Sequence, residues 1–490
     1  MPLHEPTQPM AATRIDARTR TVAGLSAVPA QVSDRRLLWF LAIQFLCQVM
    51  LMAEPVGSLR LYFRMLAYLS ALAMFVVLPP TQHLANPART ASLGLLIAMS
   101  LGIVHSDTSL LAGVAHWLFV FSIWSPIFWV GRLKLTPRTL WDVIMLLWAF
   151  NVLGAVIGVL QVYYPEVFAP SAEFVKRHYG DMVEAYLIQL ADGRDVWRPF
   201  GLSDSPGGAA NSGSIAVIIG VAIITTPGKQ LVKALALLGI ITGAFCIYLC
   251  EFRSVMIATL ISAIALVGLQ MFRGSTSRLA AMTLIVPLLI GGAFAWTHMI
   301  GGERVQKRIK TLGEGSASTV YYQNRGKFIE FSLFNELPEY PLGAGLGRYG
   351  MMFNYFGDKR SAEARPLWAE VQLSAWIYDA GILGIVLGYA AMAAAFLTSL
   401  RLALSKKVGP LLAECAAIVL ALNAGWLAVT FAYPLFMGQG GLLFWLVNSA
   451  LFYAATNSRR RRSENPPAAG SASQLHRSTS PVAVQQRLRP

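Results

Sequence analysis

The stretch LWDVIMLLWAFNVLGAVIGVLQVY, residues 140–163, decides the fold class of this chain. It contains a single charged side chain, Asp142, in 24 residues. As a helix it would be about 36 Å long at 1.5 Å per residue, which is enough to cross a hydrocarbon core roughly 30 Å thick. Apolar runs of comparable length recur between residues 36 and 457. The sequence therefore predicts an all-α, polytopic helical membrane protein.

The composition of the whole chain indicates the same class. The chain has 490 residues, of which 55% are hydrophobic and only 13% are charged, and its mean hydropathy is +0.54. Because ordinary soluble domains carry about 25% charged residues, that class is excluded. We predict a bundle of about twelve transmembrane helices, near residues 37–53, 61–79, 91–105, 109–130, 140–163, 212–226, 231–250, 255–271, 278–299, 370–399, 409–433 and 438–456. The two shortest runs, 91–105 and 212–226, are also compatible with tilted or re-entrant segments.

The distribution of Lys and Arg predicts the orientation. If the N-terminus is cytoplasmic, basic residues concentrate in the cytoplasmic loops, as the positive-inside rule requires. Both termini then lie in the cytoplasm, and two long loops lie outside. The predicted organisation is a disordered basic tail (1–36), N-terminal transmembrane helices (37–163), a first outer loop (164–211), central transmembrane helices (212–299), a large outer loop with amphipathic helices (300–369), C-terminal transmembrane helices (370–456) and a second disordered basic tail (457–490).

The two long outer loops are more basic than topology alone explains. The chain carries a formal net charge of +15 at pH 7, and anionic lipid accounts for the cytoplasmic share at about 1 kcal/mol per basic residue. The outer loops hold a further set of basic residues: Lys176, Arg177, Arg194, Arg198, Arg304, Lys307, Arg308, Lys310, Arg325, Lys327, Arg348, Lys359, Arg360 and Arg365. Clustered Arg suits bidentate binding of phosphate. We therefore predict an anionic ligand at the outer surface, such as a lipid-linked pyrophosphate.

Two short motifs place Arg side chains where the chain re-enters the bundle. In RPFGLSDSPGGAANSG, residues 198–213, the Gly and Pro residues exclude a regular helix at the start. Arg198 then either lines a polar cavity or is an interfacial residue of a surface turn. In CEFRSVM, residues 250–256, Arg253 joins two spans at the outer face. It either binds a phosphate or is an interfacial anchor whose head extends to water.

A third motif, residues 321–350, predicts an amphipathic helix on the outer membrane surface. An apolar stripe follows Arg325, which lies near the start of the helix, and Pro residues end it; the stripe comprises Phe328, Phe331, Leu333, Phe334 and Leu337. The glycines at 343, 345 and 347 are not a dinucleotide-binding fingerprint, because no strand precedes them. They predict a tight structural turn.

The fourth motif is RPLWAEVQLSAWIYDAGILG, residues 365–384, which begins as a charged loop and continues as an apolar helix. Ionisable groups in membrane spans are functional candidates, because holding one there costs about 2.5 to 3.5 kcal/mol on insertion scales. A helix that includes Glu370 would place it at the end of a small-residue face with Gly381 and Gly384, where burial favours a role as general base. Asp379 lies nearly opposite on the wheel and is interpreted as a packing residue.

The histidines offer alternative bases. His105 and His178 lie in outer loops, and His298 lies at the outer end of its predicted span. Each also has a simpler interpretation as an interfacial or solvated side chain.

The order of these motifs resembles the O-antigen ligase and polymerase superfamily over roughly residues 37–453. The resemblance rests on the Arg198-Pro-Phe-Gly loop, the Glu251-Phe-Arg253-Ser turn, Arg325 before Pro341-Leu-Gly-Ala-Gly-Leu-Gly, and residues 370–384. It implies a multi-pass protein of the bacterial inner membrane that is a hexosyltransferase-type glycosyltransferase with its active site facing the periplasm. It also implies an inverting transfer of glycan from undecaprenyl pyrophosphate to an acceptor glycan, without a metal or other cofactor.

Carried over by position, the resemblance assigns pyrophosphate binding to Arg253 and Arg325, with Arg198 as a third arginine. Glu370 stands where ligases of this family typically have a His, and Asp379-Ala-Gly381 matches their Glu-x-Gly. A carboxylate can also act as the general base. The sequence therefore favours Glu370 as the catalytic residue of a polymerase over a ligase that uses the usual base.

Our preferred function is a polymerase that joins lipid-linked oligosaccharide repeat units for exopolysaccharide or O antigen, for which the resemblance suggests a chain-length regulator as partner. The first alternative is an O-antigen ligase that transfers glycan to the lipid A core in lipopolysaccharide synthesis. The second is a transporter or flippase of lipid-linked sugars, and a non-enzymatic assembly partner is the third. Nothing in the sequence indicates a nucleic-acid partner.

Overall fold

The computed structural model describes residues 30–80, 85–179, 186–189, 193–274, 321–358 and 367–464, with isolated helical positions between 280 and 319. Its principal helices are α1 (Ala30–Met50), α2 (Arg60–Val77), α3 (Arg89–Ser100), α4 (Leu110–Trp124), α5 (Pro137–Tyr163), α6 (Gly208–Thr225), α7 (Gln230–Leu249), α8 (Arg253–Phe272), α9 (described below), α10 (Gly350–Phe356), α11 (Gln372–Leu404), α12 (Pro410–Val429) and α13 (Gln439–Glu464). The predicted run at 278–299 lies largely outside the described residues. Of the two predicted disordered tails, residues 30–36 and 457–464 are described and are helical, because α1 begins at Ala30 and α13 continues to Glu464; the rest of both tails lies outside the described residues.

Helix α9 alternates between two helix types. Its α-helical turns are Lys327–Phe331 and Leu337–Glu339, and its π-helical turns are Tyr322–Gly326 and Ser332–Glu336. Single π turns inside helices frequently occur at functional sites. The predicted amphipathic segment is therefore helical, with Arg325 in its first π turn.

The remaining elements are short. One-turn or two-turn α-helices lie at Pro126–Trp129, Pro165–Phe168 and Ala172–Tyr179, and 3-10 turns lie at Glu54–Leu59, Leu101–Val104, Val130–Arg132 and Leu435–Met437. The strands β1 (Leu187–Gln189) and β2 (Asp195–Trp197) pair antiparallel, with Leu187 opposite Trp197. Apart from this small hairpin and one isolated bridge, the regular secondary structure of the described residues is helical, which confirms the all-α prediction.

Within the described residues, seven helices are long and apolar enough to cross a membrane: Glu54–Val77, Pro137–Tyr163, Gly208–Thr225, Gln230–Leu249, Arg253–Phe272, Gln372–Leu404 and Pro410–Val429. The pair Leu110–Trp124 and Pro126–Arg132, bent by 49°, makes an eighth if it forms one span. These helices support a helical membrane protein, and the number of about twelve spans stays a prediction.

The core of the bundle contains aromatic rings and one paired set of amides. Trp124, Trp445 and Phe436 are almost fully buried, and the rings of Trp124 and Trp445 lie 4.5 Å apart. Asn423 in α12 and Asn448 in α13 each donate a 2.8 Å hydrogen bond to the other's amide oxygen. Such pairs satisfy polar groups between apolar helices and contribute about 0.6 kcal/mol each on average in membrane proteins.

One end of the bundle carries both long connecting segments, and we call it the long-loop end. Segment 164–207 returns there to the start of α6, and segment 321–371 returns there to the start of α11. Arg64 in α2 contacts both segments, with 3.1 Å between its Nε and Asp204 Oδ2 and 3.3 Å between its Nη1 and the Tyr355 hydroxyl, so both segments pack against the start of α2. All the candidate site residues that the structure describes lie at this end.

Candidate functional site

The start of α11 differs from the sequence prediction. The helix begins at Gln372, whose backbone N–H donates to the Thr430 carbonyl at 3.0 Å and whose side-chain oxygen accepts from the Phe436 N–H at 2.8 Å. Glu370 therefore precedes the helix instead of forming its first turn. The reason is that these contacts with the loop after α12 fix Gln372 as the first helical residue, an arrangement that side-chain periodicity does not reveal.

Glu370 is nevertheless held firmly by two donors. The Arg325 guanidinium in α9 donates to Glu370 Oε2, and the Trp368 indole N–H donates to Glu370 Oε1 at 2.7 Å. The side chains of Arg325 and Glu370 are 31% and 25% exposed. Charge-assisted bonds of this kind fix the orientation of a carboxylate. The structure thus brings together two of the four predicted site residues and keeps both accessible.

A second set of contacts holds α9 against α11 beneath this ion pair. The hydroxyls of Ser332 and Ser374 lie 2.6 Å apart, and the Tyr378 hydroxyl donates to Glu336 Oε1. Ser332 and Glu336 are buried, whereas Phe334 on the other side of α9 is exposed. The polar side of α9 therefore faces the protein, and part of its apolar stripe faces outward.

Helix α11 is broken two turns after its start. Gly381 has φ 58° and ψ −137°, and Ala380 is also non-helical. The predicted turn at 341–347 fills the break, because the Pro341 carbonyl accepts from the Ile382 N–H at 3.0 Å and the Ala344 N–H donates to the Tyr378 carbonyl at 2.8 Å. These bonds replace those lost by the helix, so irregular backbone is tolerated inside the bundle.

The break also changes the role of the predicted small-residue face. A Cβ on Gly384 would lie 2.2 Å from the Trp376 carbonyl oxygen, and one on Gly388 would lie 2.7 Å from the Trp376 ring. These glycines therefore accommodate Trp376 of the same helix. The single continuous face that we predicted from Glu370 to Gly384 is wrong, because α11 breaks at Ala380 and Gly381 and its first turns pack against the glycines that follow.

Asp379 sits directly before the break in a buried polar cluster. Its Oδ2 accepts from the Tyr349 hydroxyl at 2.9 Å, and its Oδ1 lies 3.1 Å from His116 Nε2 in α4. Burial, together with the adjacent Asp379 carboxylate, raises the pKa of Tyr349 well above its usual value. The predicted packing role of Asp379 agrees with this geometry. The sequence analysis missed His116, although an ionisable residue in an apolar run is itself a signal.

Arg198 and the turn before α8 form a second group. The Arg198 guanidinium lies 5.4 Å from the centre of the Phe252 ring, and Phe252 immediately precedes Arg253, the first residue of α8. Gly207, with φ 78°, allows this packing, since a Cβ there would lie 1.9 Å from the Phe252 ring. The structure thus places Arg198 beside the turn that carries Arg253.

That turn contains an unusual backbone conformation. Among the described residues, Glu251 is the one non-glycine residue with positive φ, at 54°. Left-handed backbone costs an ordinary side chain about 1 kcal/mol or more.

We expect the Glu251→Val protein to be at least 1 kcal/mol less stable than the Glu251→Gly protein, because both lose the carboxylate and only valine disfavours this φ. Thermal unfolding of the two purified variants measures the difference, and equal stability would contradict the left-handed assignment.

A third group, which the sequence analysis missed, is centred on Asp204 in the loop that also carries Arg198. Asp204 Oδ2 accepts from Arg64 Nε at 3.1 Å and lies 3.5 Å from Arg60 Nη2. Burial alone would raise the pKa of Asp204, but the guanidinium groups of Arg64 and Arg60 outweigh that effect and lower it. The group ties the loop after Arg198 to α2.

Asp204 is expected to make stability depend on pH. Its folded pKa is below the usual 3.8, so its stabilising contribution is complete above that value and is lost as the pH falls through the folded pKa. Asp204→Asn should cost about 1 to 3 kcal/mol at neutral pH and should lose less stability on acidification than the wild type. Unfolding curves at pH 7 and pH 3 test this. The exposed Asp195→Asn is the control in the same segment, and equal behaviour of the two variants would contradict the prediction.

The loop between α12 and α13 connects the groups. Its Tyr433 hydroxyl is hydrogen bonded to Asn211 near the start of α6, and burial raises the pKa of Tyr433 to about 12. The same loop holds Gln372 at the start of α11 through Thr430 and Phe436. The Arg198 and Arg253 group and the Arg325 and Glu370 group are therefore attached to one connector at the long-loop end.

The histidines named as alternative bases lie elsewhere. His178 Nδ1 is 2.7 Å from the Phe174 carbonyl, and burial, opposed by that bond but reinforced by nearby arginines, lowers the pKa of His178. The Nδ1 of His105 accepts from the backbone N–H of Asp107 at 3.3 Å. His298 lies outside the described residues. The hydrogen bonds described for His105 and His178 go to nearby backbone groups and not to Glu370.

Within the part of the chain that the structure describes, no group of three or more His, Cys, Asp and Glu side chains is placed to hold a metal ion.

Comparison with known proteins does not assign a function to the chain. No protein-family model matches the chain, and no protein of curated function is significantly similar to it. The function must therefore be argued from the site.

Proposed function

We propose that the protein is a glycosyltransferase that joins oligosaccharide repeat units carried on a lipid pyrophosphate. The observation that carries the proposal is the contact between the Arg325 guanidinium and the Glu370 carboxylate at the accessible long-loop end. A general base and a phosphate-binding cation are the two functions that this transfer requires, and here they are adjacent. The resemblance of the motif order to O-antigen polymerases and ligases supports the same assignment.

In the proposed reaction an acceptor hydroxyl oxygen attacks the anomeric carbon of the donor sugar. The bond between that carbon and the pyrophosphate oxygen breaks, the configuration inverts, and the hydroxyl proton passes to Glu370. The lipid pyrophosphate leaves with the electron pair of the broken bond. A positioned general base typically contributes about 10² to 10⁴ in rate.

The arginines have a separate task in this scheme. Negative charge grows on the leaving pyrophosphate, and fixed cations near it lower the barrier most in a site that excludes water. Arg325 is the arginine next to Glu370, and Arg253 with Arg198 supplies a second cationic group beside Phe252. Arg suits this role because its guanidinium binds phosphate oxygens in pairs.

We propose the polymerase in preference to the ligase because Glu370 occupies the position at which the resembled ligases have a His. The donor and the acceptor glycan are then both partners at the periplasmic face of the bacterial inner membrane, with a chain-length regulator as a further partner. The proposal also includes the orientation, in which both termini lie in the cytoplasm and the site faces the periplasm.

Transport of lipid-linked sugars is the second candidate, and one observation favours it. Broken helices are typical of transport sites, and α11 breaks at Ala380 and Gly381 beside buried Asp379 and His116. However, the 341–347 turn fills the break with backbone hydrogen bonds. The accessible candidate pair, Arg325 and Glu370, lies at the long-loop end, which favours chemistry there.

The test is the length of the glycan on lipid pyrophosphate in cells from which the gene is deleted. Single repeat units at the periplasmic face, with loss of long polysaccharide, support the polymerase. Long lipid-linked chains that do not reach lipid A would instead indicate the ligase. Repeat units retained on the cytoplasmic face would indicate transport and would contradict the proposed reaction.

A further inference from the structure

Trp368 is a large aromatic residue that is both exposed and held in place. It is 62% exposed, and its indole N–H donates to Glu370 Oε1 at 2.7 Å. The other oxygen of the same carboxylate accepts from Arg325. The indole therefore has a fixed edge against the candidate base, and much of its surface remains uncovered.

The chemistry of this arrangement suits a sugar ring. A pyranose has an apolar face of C–H groups and polar hydroxyls at its edge, and Trp combines a large apolar face with one polar edge. A sugar stacked on the indole would bury the exposed ring, and its hydroxyls would lie beside the carboxylate that anchors the indole. Arg325 supplies additional hydrogen-bond donors there.

A second exposed aromatic residue lies near the ion pair. Tyr321 is 41% exposed and is at the start of α9, one helical turn from Arg325. Partial burial raises the pKa of Tyr321, and the charge of Arg325 opposes that rise. Its hydroxyl lies 3.5 Å from the Phe431 carbonyl. Aromatic residues thus neighbour both members of the Arg325 and Glu370 pair.

We propose that Trp368 is the stacking platform of a carbohydrate subsite that binds the acceptor glycan. The inference rests on the proposed function, since it assigns the acceptor side of the same site. It makes Trp368 a substrate-binding residue. Glu370 then has three partners: Arg325 and Trp368, which orient it, and the acceptor hydroxyl that it deprotonates.

The competing interpretation is that Trp368 only anchors the chain at the membrane interface, where Trp is common. The chain offers a matched control for this, because Trp39 in α1 is 69% exposed and lies outside the site. An anchor role predicts equal effects of Trp368→Ala and Trp39→Ala on insertion and none on sugar binding.

The experiment uses the full-length protein in lipid nanodiscs and, as probe, oligosaccharide fragments of the host cell's own surface polysaccharide. Binding is measured by saturation-transfer NMR, and the acceptor KM and kcat are measured with purified lipid-linked donor. We expect Trp368→Ala to weaken fragment binding and to raise the acceptor KM about tenfold or more. Trp368→Phe keeps an aromatic face and should keep the acceptor KM within about threefold of the wild type, whereas its kcat should fall because Glu370 loses the indole N–H. Trp39→Ala should leave both the acceptor KM and kcat within about threefold of the wild type.

The outcomes separate the inference from the function on which it rests. Wild-type elongation with unchanged acceptor affinity in Trp368→Ala would overturn the subsite and leave the function standing. Fragment binding that depends on Trp368, without any glycan transfer by the wild type, would support the subsite and contradict the proposed function. If Trp368→Phe and Trp368→Ala lower kcat equally and both leave the acceptor KM and fragment binding unchanged, the indole only orients Glu370, and stacking is excluded.

Discussion

Glu370→Gln is expected to reduce glycan transfer by about 10² to 10⁴ while the protein stays folded. The amide oxygen of glutamine can still accept from Arg325, so the contact between α9 and the start of α11 is kept. The amide cannot take a proton from the acceptor hydroxyl, so kcat falls. The measurement is elongation of purified lipid-linked repeat units by the reconstituted protein, with donor binding measured separately.

Two further variants sharpen this test. Glu339→Gln changes an exposed carboxylate on the same helix as Arg325 and should retain full activity. Glu370→His should recover part of the activity lost in Glu370→Gln, because an imidazole can also serve as a base. Full activity of Glu370→Gln combined with loss of activity in His298→Ala would transfer the role of base to the histidine.

Gly381→Ala is expected to destabilise the protein by about 3 kcal/mol or more. Its φ of 58° with ψ of −137° is a conformation that side chains avoid, and an added Cβ would lie 1.9 Å from the Pro341 carbonyl oxygen. That carbonyl is the acceptor that completes the broken helix, so it has little freedom to move. The turn and α11 cannot both keep their positions, and the start of α11 should shift with them.

The matched control is Gly268→Ala in α8. A Cβ at Gly268 meets nothing within 4 Å, and alanine is favoured over glycine in a helix by about 1 kcal/mol. Thermal unfolding in detergent should therefore show a loss for Gly381→Ala and none for Gly268→Ala. Equal melting temperatures would mean that the break in α11 is not present. This test does not depend on the proposed reaction.

The helices were predictable from the sequence because each apolar run satisfies its own backbone hydrogen bonds locally. Residues 140–163 form most of α5 for that reason, and α2 and α12 begin within a residue of their predicted runs, whereas α1 extends further at its N-terminus and α13 at its C-terminus than predicted. The turn at Gly343, Gly345 and Gly347 was also predictable, because closely spaced glycines without a preceding strand indicate a tight turn and not a nucleotide-binding motif. The motifs themselves marked Glu370, Arg325, Arg253 and Arg198 as candidates, and the resemblance implied which of them bind pyrophosphate.

The pairings were not predictable, because they join residues far apart in the chain. Asp204 pairs with Arg60 and Arg64 in α2, and His116 in α4 lies beside Asp379 in α11. The residue types alone do not select among the many possible partners. The number of spans stays a prediction. The functional experiments address the substrates.

The sequence by itself determined that this is an all-α membrane protein with an unusually basic pair of long connecting segments. Local hydrophobicity and backbone hydrogen bonding are sufficient for that conclusion. Only the tertiary structure decided that Glu370 lies before α11, that Arg325 and Trp368 hold its two oxygens, and that α11 breaks at Gly381. These features depend on contacts between α9, the glycine turn and the loop after α12, and such contacts exist only once the helices have packed.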